Sequence, residues 1–424
     1  MTDTPSAPAA SIPSVEQIRD AFPALARRRG DVPIAYFDAP GGTQVPRSVA
    51  DAVRTQLLEH NANAHWAYDT SRELDRVLEA SRAAMADFVG GRPDEVVFGA
   101  NMTTLTFHAA RALGRRWGPG DEIVVTELDH QANVSPWRDL EVERSVAVRV
   151  VPLDPDTGDL DWRAFEEALS PRTRLVAVTA ASNALGTLVD LARAGELARA
   201  SKALLFADAV HFAPHERMDV GRIGCDFLVC SPYKFYGPHV GVLWGKPGLL
   251  EEVAPPKLAP APDAPPECWE TGTLNHEGIA GAGAAVEFLA SLAGSADSGP
   301  RSERLDATFE ELSRRGDRLV RRLWEGLDSV DGVGLYGPPP DRPRTPTVSF
   351  TIDGWLPEAA ADRLSEDHGL FLSHGNFYAS LVTARLGVEP DGLLRAGCAC
   401  YTTMEEVDRL VEAVERLALE TRSR

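Results

Sequence analysis

Apolar residues along this chain fall into two rhythms. Between positions 95 and 231 they gather in short runs: VVFG (96–99), EIVVT (122–126), VRVVPL (148–153), LVAVTA (175–180), ALLFAD (203–208) and FLVCS (227–231). Between most of these runs the apolar positions recur at helical spacing, as over 105–117 and 191–201. Strand, helix, strand at this pace predicts an α/β fold: a mostly parallel central sheet with helices on both faces. Ligands in such sheets sit at the carboxyl ends of the strands. The residues that follow each run are therefore the first candidates for chemistry.

The flanks read differently. Ser14 is placed to cap a short helix through Ile18, Phe22 and Leu25. Tyr36-Phe37-Asp38 is a brief extended piece ended by the turn-rich APGGTQVP. Helical spacing covers 48–60 and 71–89. The intervening loop NANAHWAYDTS is either a helix connector or a lid over a site, and as a lid it would bring His65 to a substrate. The Pro/Ala-rich stretch 253–266 reads as a surface excursion, and 277–330 is largely helical. After GPPPDRPRTP come the strand TVSFTI, a helix over 358–368, the strand LFLSHG, a strand around LLRAGCACY and a helix over 404–417, which together make a compact α+β unit. The expected division is a disordered Pro/Ala/Ser-rich tail (1–13), an N-terminal segment packing on the small domain (14–35), a large domain (36–284) and a smaller C-terminal domain (285–424).

Composition narrows the classes. The chain has 424 residues, 44% hydrophobic, enough for a large core and more than one domain. Its net charge of −20 argues against an electrostatic grip on nucleic acid or anionic membrane. The five cysteines show no CxxC pair or disulfide framework, and no cluster reads as a metal site. MTDTPSAPAASIPS lacks the basic-then-apolar order of a signal peptide, and no run reaches about 18 apolar residues. The expectation is a cytoplasmic protein.

Candidate chemistry centres on SPYKFYGPHVG (231–241), which sets Lys234 between a Ser/Tyr pair and a Gly-Pro turn. Lys234 is either a solvated loop residue or the carrier of pyridoxal 5'-phosphate, since a lysine amine condenses reversibly with an aldehyde and can later act as a base. Asp208, ending ALLFAD, is either a turn residue or the carboxylate that keeps the cofactor's pyridine nitrogen protonated. His211, in DAVH, is a structural histidine or a donor to the phenolic oxygen, and Asn183, in SNALG, is a turn residue or a second donor there. His130, after EIVVT, is a loop histidine or a ring stacked on the pyridine face. In GANMTTLTF the amides of Met102 and Thr103 begin a helix, a ready anion site, although Asn101 also makes this an ordinary cap. Thr273, in ETGT, is a further phosphate donor. Arg395 suits an α-carboxylate bidentately, or a surface ion pair.

Taken in order, YFDAPGGT, GANMTT, ELDHQAN, SNALGT, DAVH, SPYKFYGP, ETGT and RAGCACYTTMEEVDRL resemble the fold-type I, class V aminotransferase family, in particular its SufS-type cysteine desulfurases. The resemblance runs from about Tyr36 to Leu417. It implies Lys234 as the Schiff-base lysine, Asp208 at the pyridine nitrogen and His130 on the ring. Asn183 and His211 would lie near the phenolic oxygen, His211 standing where most desulfurases have Gln. Thr103, Ser231 and Tyr233 would hold the phosphate, and Thr273 would reach the neighbouring subunit's phosphate in a homodimer with shared sites. Arg395 would bind the substrate carboxylate.

One departure changes the expected reaction. Where desulfurases carry a cysteine that becomes a persulfide, LSHGNFYASL has Tyr378, and a phenol cannot form one. Cys230, Cys398 and Cys400 alternate with the site residues Ser231 and Arg395 along extended backbone and are expected to face away. The chain thus resembles a divergent, desulfurase-like branch. Its expected reaction is β-elimination, C–S or C–Se cleavage on cysteine or a cysteine conjugate, with Lys234 taking the α-proton. Desulfuration in the broad sense, transamination, epimerisation and an inactive binding subunit are the alternatives.

Overall fold

The computed structural model describes residues 12–422. Seven strands form the central sheet in the order Val96–Gly99, Gly241–Gly245, Phe227–Cys230, Leu204–Asp208, Thr173–Thr179, Glu122–Thr126, Ala147–Val151. Six of them match the runs read from the sequence. The seventh, Gly241–Gly245, pairs antiparallel with both neighbours, while all other pairs are parallel. Its sequence, GVLWG, holds three apolar residues between glycines and gave no signal of its own.

Side chains along these strands alternate between two cores. Val96, Phe98, Val124, Val176, Val178, Leu205 and Leu228 belong to one apolar cluster, and Val97, Ile123, Val125, Leu175, Phe206 and Phe227 to the other. Burial of both faces is why the runs are continuous rather than alternating with polar residues.

Close approach at one strand end shapes the site. A Cβ on Gly241 would lie 2.3 Å from the backbone carbon of Asn101, the cap of helix Met102–Gly114. Only glycine lets this strand reach the start of that helix. Gly241→Ala is expected to destabilise the protein by about 1–3 kcal/mol and to loosen the helix start, read as a lower thermal midpoint. An unchanged midpoint would refute the packing argument.

The C-terminal unit is a four-stranded antiparallel sheet, ordered Val333–Tyr336, Thr347–Ile352, Leu393–Gly397, Ser373–Gly375, with a third apolar cluster between it and helices Pro357–His368 and Met404–Arg422. LFLSHG is split: Leu370–Phe371 pairs in parallel with Ala35–Tyr36, and Ser373–Gly375 joins the larger sheet. The strand around LLRAGCACY stops at Gly397, short of both cysteines.

At the amino end, Ser14 and Gln17 form a capping box on helix Val15–Arg19, and Pro23 then starts a 3-10 turn, so the helix is shorter than the apolar spacing suggests. Phe22 meets Tyr401 at 5.0 Å, Phe288 at 5.3 Å and Tyr236 at 5.7 Å between ring centres, so this segment touches both units rather than the small one alone. Residues 1–11 of the tail expected to be disordered lie outside the described residues. Its last two do not fit that expectation, since Ile12 is buried and Arg315 donates to the Pro13 carbonyl at 2.7 Å. Among the described residues, no helix is long and apolar enough to cross a membrane.

Candidate active site

A cavity of about 620 Å³ opens at the carboxyl ends of the central strands. It is lined from the large unit by Met102, Thr103, His130, Asn183, Asp208, His211, Tyr233 and Lys234, and from the small one by Ser373, Phe377, Tyr378 and Arg395. Ten of the residues singled out from sequence therefore share one space.

Lys234 ends the short turn Pro232–Lys234 that follows strand Phe227–Cys230. Its Nζ donates to the carbonyls of Pro40 and of Gly41, the latter at 2.9 Å, and lies 4.8 Å from the centre of the Tyr233 ring. Burial, helped by Arg395, brings its pKa down to about 7 against the pull of Asp38 and Asp208. The amine is thus substantially neutral near pH 7, as a nucleophile or base requires.

The sign of the linkage follows. With the folded pKa near 7 and the ordinary one at 10.5, the unfolded chain binds the extra proton between those values, so stability rises with pH across that window. In the cofactor-free protein, Lys234→Met is expected to be the more stable form at pH 6, by on the order of 3 kcal/mol, with the gap closing by pH 10. Parallel denaturation curves at the two pH values check this; a constant gap would contradict it.

Asp208 ends strand Leu204–Asp208, and its Oδ1 accepts from the Val210 amide at 2.9 Å. Burial raises its pKa to about 6, opposed by that amide and by Lys234. Among the described residues no lysine or arginine pairs with it. A buried carboxylate with so little compensation leaves capacity for a cationic N–H from a ligand.

His130 caps the turn Gln131–Asn133, its Nδ1 accepting from the Ala132 amide at 3.0 Å. The neutral ring thus carries its proton on Nε2. Burial, then Lys234 and Arg395, lower its pKa to about 4. Beside it Asp129, which no local pattern marks out, accepts from Thr126 and Asn133, and burial raises its pKa to about 8. It braces the His130 turn without lining the cavity.

Arg395 is buried. Its Nε donates to Ser373 at 3.1 Å and its Nη1 to the Asn183 carbonyl at 2.9 Å, while Nη2 stands 3.5 Å from Asp38. Its guanidinium carbon lies 4.1 Å from the centre of the Phe377 ring. Burial lowers its pKa to about 10, so it stays cationic at neutral pH. Asp38 belongs to the quoted YFDAPGGT, but nothing in that motif says its carboxylate would face Arg395.

Two buried polar atoms in this lining lack partners: Asn183 Oδ1 and His211 Nδ1. Such groups are costly unless a ligand completes them. With the bare Asp208 and the depressed Lys234 amine, the open His211 Nδ1 fits a ring bearing one basic nitrogen, one oxyanion and an aldehyde. The donor set suits pyridoxal 5'-phosphate.

Three expected residues lie elsewhere. His65 is exposed, its side chain paired with Asp75 at 3.1 Å. Thr273 is exposed and does not line the cavity of its own chain. Ser231 is buried, and its oxygen accepts from the Met102 amide at 3.1 Å, so the first helical N–H is already satisfied and the Thr103 end is left for an anion.

Tyr378 lies in a loop with consecutive left-handed residues, Phe377 at φ 56° and Tyr378 at φ 55°, whose carbonyls accept from Asn183 Nδ2 at 2.9 Å and from the Gln131 amide at 2.8 Å. The ring centres of Tyr378 and His130 are 5.6 Å apart. All five cysteines are buried, and none lines this cavity. Burial pushes the Cys225 and Cys400 thiols up to about 12 and raises the other three.

The sequence model of the family described as aminotransferase class-V matches residues 35–410. A cysteine desulfurase of Pectobacterium atrosepticum is 32% identical over 422 residues, covering 95% of this chain and 98% of its own. An aminotransferase-like protein of Gibberella zeae, FGM3, is 30% identical over 412 residues, covering 95% and 98%. Among solved structures, the apo cysteine desulfurase of Thermococcus onnurineus superposes with a TM-score of 0.85 at 28% identity, over 96% of this chain and 98% of that one.

Proposed function

The chain belongs to the class-V aminotransferase family and is a pyridoxal 5'-phosphate-dependent enzyme of desulfurase-like fold, and from that premise we propose that it is a lyase cleaving the Cβ–S or Cβ–Se bond of cysteine, selenocysteine or a cysteine conjugate. The observation that carries this reading is the lining of the cavity. It holds a lysine base and an arginine for the substrate, yet no cysteine, and Tyr378 stands on the loop where a thiol nucleophile would be needed. Elimination needs a base and a leaving group on the β-carbon, and no protein thiol.

When bound, the cofactor supplies an electron sink for the pair left by the substrate's α-proton. Lys234 would hold it and then take that proton on its neutral amine. Asp208 would keep the ring nitrogen protonated, and His130 would cover the ring face. Asn183 Nδ2 is engaged by Phe377, so donation to the phenolic oxygen falls to His211. Thr103, near the helix start, would hold the phosphate, with Tyr233 bordering it. Arg395 would bind the substrate carboxylate in place of its weak contact with Asp38, which fixes the α-proton relative to Lys234. In a cytoplasmic homodimer with shared sites, Thr273 of one protomer would reach the phosphate in its neighbour.

Product analysis tests the proposal. Cysteine, selenocysteine and S-conjugates are expected to give pyruvate and ammonia in equal amounts with the released thiol or selenol. No keto acid from any of them would sink the lyase reading. Alanine with transferred sulfur would mean desulfuration, and a D-amino acid epimerisation. Transamination, the reading favoured by the name of the Gibberella relative, would require added keto acid and would release no ammonia. Protein that stays colourless with added cofactor would leave the inactive-subunit alternative.

A further inference from the structure

His211, in the cavity lining, is held by the small unit through its far nitrogen. Nε2 lies 3.0 Å from Thr345 Oγ1 and 3.1 Å from Thr347 Oγ1, at the start of small-unit strand Thr347–Ile352. His211 is 3% exposed and both threonines are fully buried. With Nε2 and both hydroxyls this deeply buried, proton accounting decides the tautomer.

Thr345 has a second acceptor for its hydroxyl proton, the Gly186 carbonyl at 3.4 Å. Thr347 Oγ1 has His211 Nε2 as its partner and no other acceptor among the described residues. If Nε2 carried the ring proton, the buried Thr347 proton would be left unmet and Nδ1 would be an unmet acceptor as well. If Nε2 is bare, Thr347 donates to it, Thr345 donates to Gly186, and a single group remains open: an N–H at Nδ1, the atom without a partner. The second arrangement strands fewer groups in the interior.

We infer that Thr347 is a positioning residue: its hydroxyl donates to His211 Nε2 and fixes the Nδ1–H tautomer, so that the seating of the small unit decides whether the cavity offers a donor to the cofactor's phenolic oxygen. This rests on the cofactor reading above for the identity of the oxygen, but the tautomer itself does not. Other contacts keep the same seating. Ser349 Oγ donates to the Ala184 carbonyl at 2.5 Å, and the buried Arg344 guanidinium donates to the Leu185 carbonyl at 3.2 Å. Both bind the 182–187 turn that carries Asn183.

The test is 15N NMR of histidine-labelled, cofactor-free protein, with the His211 signals assigned by their loss in His211→Gln. Wild type is expected to show a protonated Nδ1 and a bare Nε2. Thr347→Val is expected to shift His211 towards the Nε2–H form, with Thr345 as acceptor. Thr347→Ser, which restores the hydroxyl, is expected to return the wild-type pattern. On titration with pyridoxal 5'-phosphate, Thr347→Val should bind about tenfold more weakly than wild type and Thr347→Ser nearly as tightly. A wild-type Nε2–H tautomer overturns the inference, whether or not the valine variant folds. So does a valine variant that keeps the wild-type signals. If the tautomer behaves as stated but no variant, nor wild type, takes up the cofactor, the cofactor reading fails while the hydrogen-bond assignment stands.

Discussion

Lys234→Ala is expected to lower turnover by about 10³-fold or more, because in the proposed mechanism one amine both holds the cofactor and moves the α-proton. The chain offers an unusually clean test, since it has four lysines: Lys202, Lys234, Lys246 and Lys257. Lys246 is paired with Asp226 at 3.1 Å and Lys257 with Asp263 at 3.0 Å, while Lys202 is exposed. Lys234 alone lines the cavity and has its pKa lowered to about 7. Borohydride reduction of the yellow protein should therefore fix the cofactor on one peptide, the one containing Lys234. The alanine variant should carry no covalent adduct. Label on another lysine, or turnover within tenfold of wild type, would remove the basis of the proposed mechanism.

The second large effect is expected at Asp208. Asp208→Asn keeps the shape and can still meet the Val210 amide, but it removes the charge that would hold a proton on the ring nitrogen in the proposed mechanism. Turnover should fall by about 10²–10³-fold, as for loss of an electrostatic group matched to developing charge. KM should change far less, since Arg395 and its partners Ser373 and Asn183 are untouched. The same substitution should relieve a buried charge, because Asp208 lies in the interior with its pKa raised to about 6. A variant with both greater stability and lower turnover is the signature of a strained functional group. Turnover within threefold of wild type would argue that Asp208 does no more than end its strand.

How far the site was legible depended on how local its causes were. Asp208 and His130 follow apolar runs, and a strand end is visible in sequence because burial on both faces demands continuous apolar residues. Lys234 stands out through its Ser/Tyr and Gly-Pro neighbours. Ser231 shows a tertiary effect that no local pattern announces: its oxygen accepts from the Met102 amide, 129 positions away in the chain. His65 has a polar, loop-like context that suits a lid as well as it suits its actual pairing with Asp75, and only contact distances separate these. The strand Gly241–Gly245 carries little pattern of its own because its two glycines serve packing, Gly241 against Asn101 and Gly245 against Leu250.

From sequence alone come the alternating strand–helix order, the family, the lysine proposed as carrier and the tyrosine at position 378. These are properties of residue identity and spacing. The tertiary structure decided what each group is free to do. It buried Lys234 and Asp208, which moved their proton affinities towards each other. It brought Arg395 from the small sheet to the Asn183 carbonyl, 212 positions away. It set the Thr347 hydroxyl 3.1 Å from His211 Nε2, the contact from which the tautomer is inferred. Proton affinity and tautomer depend on the neighbours that replace water, and those neighbours are chosen by the fold rather than by the local order of residues.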